Sequence, residues 1–152
     1  MKKIGFLIIS LLVVFVVSGC GKSNTKVVTC SGVVKGNNMN VAQSIKYTFE
    51  NDKISKADIE FVFKDITVDN LSSIWGSFKT QFTEQNKPAE ETGFKRTVKS
   101  NDNDYTFSVN MEIDFEKISK ETMEKYDIED YTSKTYDEII KDTTYDGVMY
   151  CK

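Results

Sequence analysis

The stretch "YTFSVNMEIDF" constrains this chain more than any other. Tyr105, Phe107, Val109, Met111, Ile113 and Phe115 alternate with Thr106, Ser108, Asn110, Glu112 and Asp114. Side chains of an extended strand point to opposite faces in turn, so this pattern demands a strand with one buried and one solvated face. The same rhythm occurs twice earlier. In "VAQSIKYTFE", Val41, Gln43, Ile45, Tyr47 and Phe49 share a face, and in "ISKADIEFVFKD", Ala57, Ile59, Phe61 and Phe63 do. Asn51 and Asp52 separate these two runs and are turn formers, which predicts an antiparallel hairpin. Val27 to Val34 reads as an earlier strand, joined through the turn-rich "GNNMN". A chain with this many half-polar strands needs something apolar to cover one side of them.

At "TVDNLSSIWGSFKTQF" the period changes. Val68, Leu71, Ile74, Trp75, Phe78 and Phe82 recur at spacings of three and four, one face of a helix. Thr67 or Asp69 is its expected cap, and Pro88 in the loop "TEQNKPAEETG" lies beyond its end. "GFKRTVKS" is a further strand, with "SNDND" as a hairpin tip before Tyr105. Ser119 is positioned to cap a short helical turn. Thr135 and Glu138 have the spacing of a capping box, in which each satisfies the other's backbone donor, so a helix is expected to run from there towards Thr143. Asp146-Gly147 then turns the chain into "VMYC". The expected fold class is α+β: an antiparallel sheet in β-β-β-α-β-β-α order with the helices packed on one face.

The amino end follows another logic. Lys2 and Lys3 precede an apolar stretch, Ile4 to Val17, interrupted only by Gly5 and Ser10 and followed by Val17-Ser18-Gly19-Cys20. A membrane-spanning helix needs about 20 apolar residues, and this run is shorter. Charge, apolar run and small residues follow the plan of a secretory leader. "VSGC" resembles the lipobox of bacterial lipoproteins. That resemblance implies that the Cys20 thiol receives a diacylglycerol and that cleavage makes Cys20 the first mature residue. Two acyl chains matter because one chain alone holds a protein only marginally to a membrane. The expected organisation is therefore a leader over 1–19, lipidated Cys20 with a polar stalk over 20–26, and one domain over 27–152. The expected location is outside the cytoplasmic membrane, anchored through Cys20.

The other two cysteines, Cys30 and Cys151, stand near the two ends of the predicted domain. In an oxidising compartment an even count suggests a disulfide. Two buried thiols or a redox pair are the alternatives, although no Cys-x-x-Cys is present. Lipobox, short stalk, "TC" opening a strand, three strands, helix, hairpin and closing helix together resemble the YehR-like small bacterial lipoproteins. The resemblance spans nearly the whole mature chain and implies a fold and an address. That family is a domain of unknown function, so it transfers no active site.

Composition narrows the chemistry. The chain contains no histidine, which removes imidazole acid–base catalysis, Ser-His-Asp machinery and the usual zinc ligation. No Gly-rich phosphate loop is present. Without the leader's two lysines, 18 basic residues stand against 23 acidic ones, and Arg96 is the only arginine. Nucleic-acid binders need clustered cations, so no nucleic-acid partner is expected. Asp102 and Asp104 lack the glycine and distant glutamate of a calcium loop, and a hairpin tip accounts for them. Glu90 and Glu91 read as a solvated loop rather than a glycosidase pair. No catalytic residue, metal ligand or cofactor is expected. Tyr126, Tyr131 and Tyr136, in the acidic segment "EKYDIEDYTSKTYDE", are a candidate partner surface because tyrosine is enriched at interfaces. The alternative is that their rings cover the sheet while their hydroxyls stay wet. The expected role is a non-catalytic binding or interaction module of the cell envelope. A carboxylate-dependent envelope hydrolase and a purely structural envelope protein are the alternatives.

Overall fold

A computed structural model describes residues 24–144 and 147–152. The leader, Cys20 and Asp146 lie outside the described residues. Three long strands open the fold, β1 (Thr25–Lys35), β2 (Asn40–Glu50) and β3 (Lys53–Lys64). The helix α1 (Leu71–Gln85) follows, then β4 (Ala89–Glu91), β5 (Phe94–Asn101) and β6 (Thr106–Asp114). The chain ends in α2 (Lys120–Lys125), a 3-10 helix (Glu129–Ser133), α3 (Tyr136–Thr144) and β7 (Met149–Cys151). The expected α+β class stands, α2 is the short helical turn expected after Ser119, and β4, the 3-10 helix and β7 are added to the expected order. Strands lie in the order β4-β5-β6-β3-β2-β1-β7, and every pairing is antiparallel.

Register explains why all helices share a side. Tyr47 stands opposite Ala57, Ala57 opposite Ile113 and Ile113 opposite Phe94. Four rungs away, Gln43, Phe61, Val109 and Val98 make a parallel row on the same face. At one end of this face α1 lays Phe82 flat on Phe107 at 4.1 Å, and Trp75 packs on Phe107 at 4.7 Å. At the other end Ile139 of α3 is 1% exposed among Cys30, Tyr47, Phe49 and Met149. The opposite face carries a charge ladder. Lys46, Asp58, Glu112, Lys95 and Glu90 form one row across five strands.

Three local details differ from the sequence expectation. Helix α1 is capped by neither Thr67 nor Asp69. Asn70 is the cap residue, at φ 55°, with no side-chain bond to the helix. The reason is tertiary: Thr67 N–H donates to Asn38 O at 2.7 Å and the Asn40 amide to Asp65 at 2.8 Å, so the incoming segment is held to the β1–β2 loop. Val68 falls outside the helix and stays 39% exposed. A bulge in β3 pairs Thr48 with Lys56 but Phe49 with Ile54. It turns Ile54 into the core, out of phase with Ala57. The bulged Ser55 is buried, and its hydroxyl donates to Thr48 O at 3.2 Å. Finally, Thr25 and Lys26 belong to β1 rather than to a stalk.

Cys30 and Cys151 are joined by a disulfide. Thr29 and Lys152 exchange both backbone hydrogen bonds, at 3.0 and 2.9 Å, so the next rung, Cys30 opposite Cys151, is a non-hydrogen-bonded pair. Such rungs bring antiparallel backbones closest, here to a Cα–Cα distance of 3.9 Å. Gly32 permits the approach of the last strand, since a Cβ there would strike the carbonyl of Val148.

Candidate functional site

The segment after β6 builds a concavity on the helical side. Ser119 accepts from Thr122 N–H at 3.1 Å and starts α2. Asp127 then adopts φ 55° and redirects the chain into the 3-10 helix. Thr135 and Glu138 form the expected box: the Glu138 carboxylate accepts from Thr135 N–H at 2.8 Å, and Glu138 N–H approaches Thr135 Oγ1 at 3.5 Å. This starts α3 with its Ile139 edge down on the sheet.

The three tyrosines of this segment occupy three separate positions, all half-buried. Tyr126 stacks on Phe94 at 4.1 Å, with its hydroxyl 3.4 Å from Glu91. Tyr136 meets Phe49 edge-on at 4.9 Å, with the Lys26 ammonium 4.6 Å from its ring centre. Tyr131 lies 6.4 Å from Phe115 and is the one that walls a cleft. Glu91 is no solvated loop residue. It sits in the edge strand β4 and accepts from Thr122 Oγ1 at 2.8 Å and Lys125 Nζ at 2.7 Å. Lys125, then the Thr122 hydroxyl, hold its carboxyl below the ordinary glutamate value. Glu90 remains exposed, 3.8 Å from Lys95. Asp104 bonds Asn101 at 2.8 Å within the β5–β6 tip, whereas Asp102 reaches across to α1.

The cleft lies between the 3-10 helix, α3 and the sheet, and encloses about 260 Å3. Its floor is apolar: Ile45, Ile139 and Met149. Tyr47 and Thr143 stand at its back, and Asp127, Asp130, Lys134 and Asp142 form the rim. The hydroxyl protons at the back can be followed. Thr143 Oγ1 donates to Ile139 O at 2.8 Å, so the Tyr47 hydroxyl, 3.1 Å away, is the donor to Thr143. Tyr47 is 1% exposed, and burial raises its phenol to about 12, so it stays protonated. At the rim, Lys134 Nζ lies 3.0 Å from Asp142, and that carboxylate, first among its neighbours, raises the lysine. Sequence reasoning named Tyr131 with Tyr126 and Tyr136 as one partner surface, not as the wall of a cleft, and did not single out Tyr47, Thr143 or Asp142. A signal for Tyr47 was available: a tyrosine on a core face needs a partner for its hydroxyl.

The polar sheet face has a broader, open depression of about 540 Å3 that includes Ser44, Thr97 and Asn110. Asp58 and Glu112 are directly opposite there. Lys46 is 3.8 Å from Asp58, and both of those side chains are more than half exposed. Among the described residues, no group of three or more Cys, Asp or Glu is arranged to hold a metal ion.

Fold and cleft together define an α+β domain with a seven-stranded antiparallel sheet and one face roofed by helices. No protein-family model and no curated protein matches the chain. Among solved structures it is similar to the protein from Streptococcus pneumoniae TIGR4 determined by NMR. The two are 15% identical with a TM-score of 0.54, over 100% of this chain and 98% of that chain. At that identity the likeness concerns the fold.

Proposed function

We propose that this chain is a lipid-tethered protein of the bacterial envelope, of the YehR-like kind, that holds a small molecule in the cleft beside α3 without transforming it. The observation that carries the binding reading is the cleft: an apolar floor under a small set of polar groups is the ordinary build of a ligand site. Its hydroxyls argue against catalysis. Thr143 gives its proton to a backbone carbonyl and Tyr47 remains a phenol at neutral pH, so neither is poised as base or nucleophile. The tether reading rests on the leader and "VSGC" at Cys20. It is compatible with the entry of the chain into the sheet, where Asn24 and Asn51 bond each other beside the β2–β3 turn. Between Cys20 and Thr25 the chain can reach only about 3.5 Å per residue, which would keep that end of the sheet towards the lipid.

The test uses the full chain made in a bacterial host. Cys20→Ala should leave the membrane fraction. Native protein, purified from its own membrane in mild detergent and then denatured, should release a small molecule, and Thr143→Leu, which fills the cleft, should release less. Equal yields from both, with turnover of a cell-wall fragment that Asp58→Asn abolishes, would favour an envelope hydrolase on the open sheet face instead.

A further inference from the structure

We infer that the cleft beside α3 selects a primary ammonium carried on a short aliphatic stem, the chemistry of a lysine side chain or a small alkylamine. The inference rests on the binding reading above and gives it a ligand class. Three independent features converge on it.

The first is proton direction. With Thr143 donating to Ile139 O and Tyr47 donating to Thr143, both hydroxyl protons point into the protein wall. Neither is left for a ligand, and Tyr47, 1% exposed, is itself closed to one. Tyr131 also contacts the Tyr47 hydroxyl and raises its phenol further, so the back of the cleft has its polar groups committed to one another. The second is charge. The rim carries Asp127, Asp130 and Asp142 against the single ammonium of Lys134, and Lys134 is engaged by Asp142 at 3.0 Å. A ligand entering past this rim meets net negative charge, which favours a cation, beside a Tyr131 ring that already has the Lys134 ammonium 5.9 Å from its centre. The third is the floor. Ile45, Ile139 and Met149 offer only carbon and sulfur, so the buried part of the ligand must be apolar.

Size and geometry exclude other cations. The described carboxylates do not form a metal-holding group, so the charge is spread along a rim rather than focused on a point. A volume of about 260 Å3 is below the roughly 300–1,000 Å3 of sites that take drug-sized ligands. It suits one aliphatic stem.

The experiment follows backbone and methyl NMR signals of the full chain in detergent, titrated to millimolar concentration with n-pentylamine, n-pentanol and pentanoate. The expected result is that pentylamine moves the signals of Ile45, Ile139 and Met149, weakly at high salt, and that pentanol and pentanoate do so at least tenfold less strongly. Asp127→Asn combined with Asp130→Asn tests the rim. Asparagine tolerates the positive φ of residue 127, so the backbone is kept. The double variant should bind the amine about tenfold more weakly, the scale of two partly screened charges. Pentanol or pentanoate binding as well as the amine, or equal amine affinity in the double variant, would overturn the ammonium assignment and leave a binding cleft of another chemistry. Failure of all three probes to reach the cleft would overturn the assignment together with the binding reading.

Discussion

Asp102 belongs to the exposed tip between β5 and β6, yet it completes the core at the far end of the molecule. Trp75 is 6% exposed, and a buried indole N–H needs an acceptor. Asp102 supplies it at 2.8 Å and takes Lys79 Nζ at 3.0 Å as well. The indole first, and the lysine second, hold its carboxyl below the ordinary aspartate value of 3.8. Glu138 is lowered in the same sense by the Thr135 N–H, and Glu91 by Lys125. For groups depressed by folding, the sign is fixed. Their stabilisation is complete above the ordinary values, 4.5 for the glutamates, and disappears as pH falls through the lowered ones. Acid unfolding followed by near-ultraviolet circular dichroism should therefore steepen below about pH 4.5. Asp102→Asn should remove up to about one proton from the uptake on unfolding. An acid limb of unchanged slope in that variant would contradict the assignment. The pairing was not legible in the sequence. "SNDND" announced a turn correctly, but nothing local connects an aspartate to a tryptophan 27 positions earlier. The capping residues Ser119, Thr135 and Glu138 were legible because their partners lie three residues away.

At the scale of elements, the β2–β3 hairpin shows how far local chemistry reaches. Asn51 and Asp52 have φ of 51° and 68°, the two left-handed residues that a two-residue turn needs to match strand twist. Asparagine accepts that conformation readily, whereas glycine suits the second position better than aspartate does. Asp52→Gly removes an exposed contact with Lys26 at 3.3 Å, worth about 0–1 kcal/mol, and relieves backbone strain of about 1–2 kcal/mol. The net expectation is stabilisation by about 0.5–1 kcal/mol in urea unfolding; a lowered midpoint would mean that the lysine contact outweighs the turn. The long strands were readable because alternation over nine or more residues admits one interpretation. β4 and β7 have three residues each, too few to show a period. Ile54 was missed because the bulge at Ser55 breaks the phase of a strand that is otherwise regular. The start of α1 was misplaced because tertiary bonds from Asn38 and Asn40 overrule the local capping residues. The cleft was only partly visible for the same reason: Tyr131 declares itself in its segment, but Tyr47 and Thr143 are 96 positions apart.

For the whole molecule, the Cys30–Cys151 bridge is the long-range constraint, with 121 positions between its ends. Closing a loop of that size is expected to stabilise the fold by about 4–5 kcal/mol through the unfolded chain. Guanidinium unfolding of the full chain with and without reductant should show a loss of that order. Cys30→Ala combined with Cys151→Ala should match the reduced protein and be insensitive to reductant. Coincident midpoints for oxidised and reduced chains would exclude a stabilising role. The bridge also divides the polypeptide into a closed ring and a short amino-terminal lead. On a chain tethered through Cys20, a protease that nicks any loop between residues 30 and 151 frees no fragment, because both pieces remain covalently attached to the lipid. A cut in the lead, by contrast, sheds the entire domain at once. Cleavage at the cell surface would thus be silent at every loop but one, and the residues just after Cys20 would decide between a retained protein and a released one.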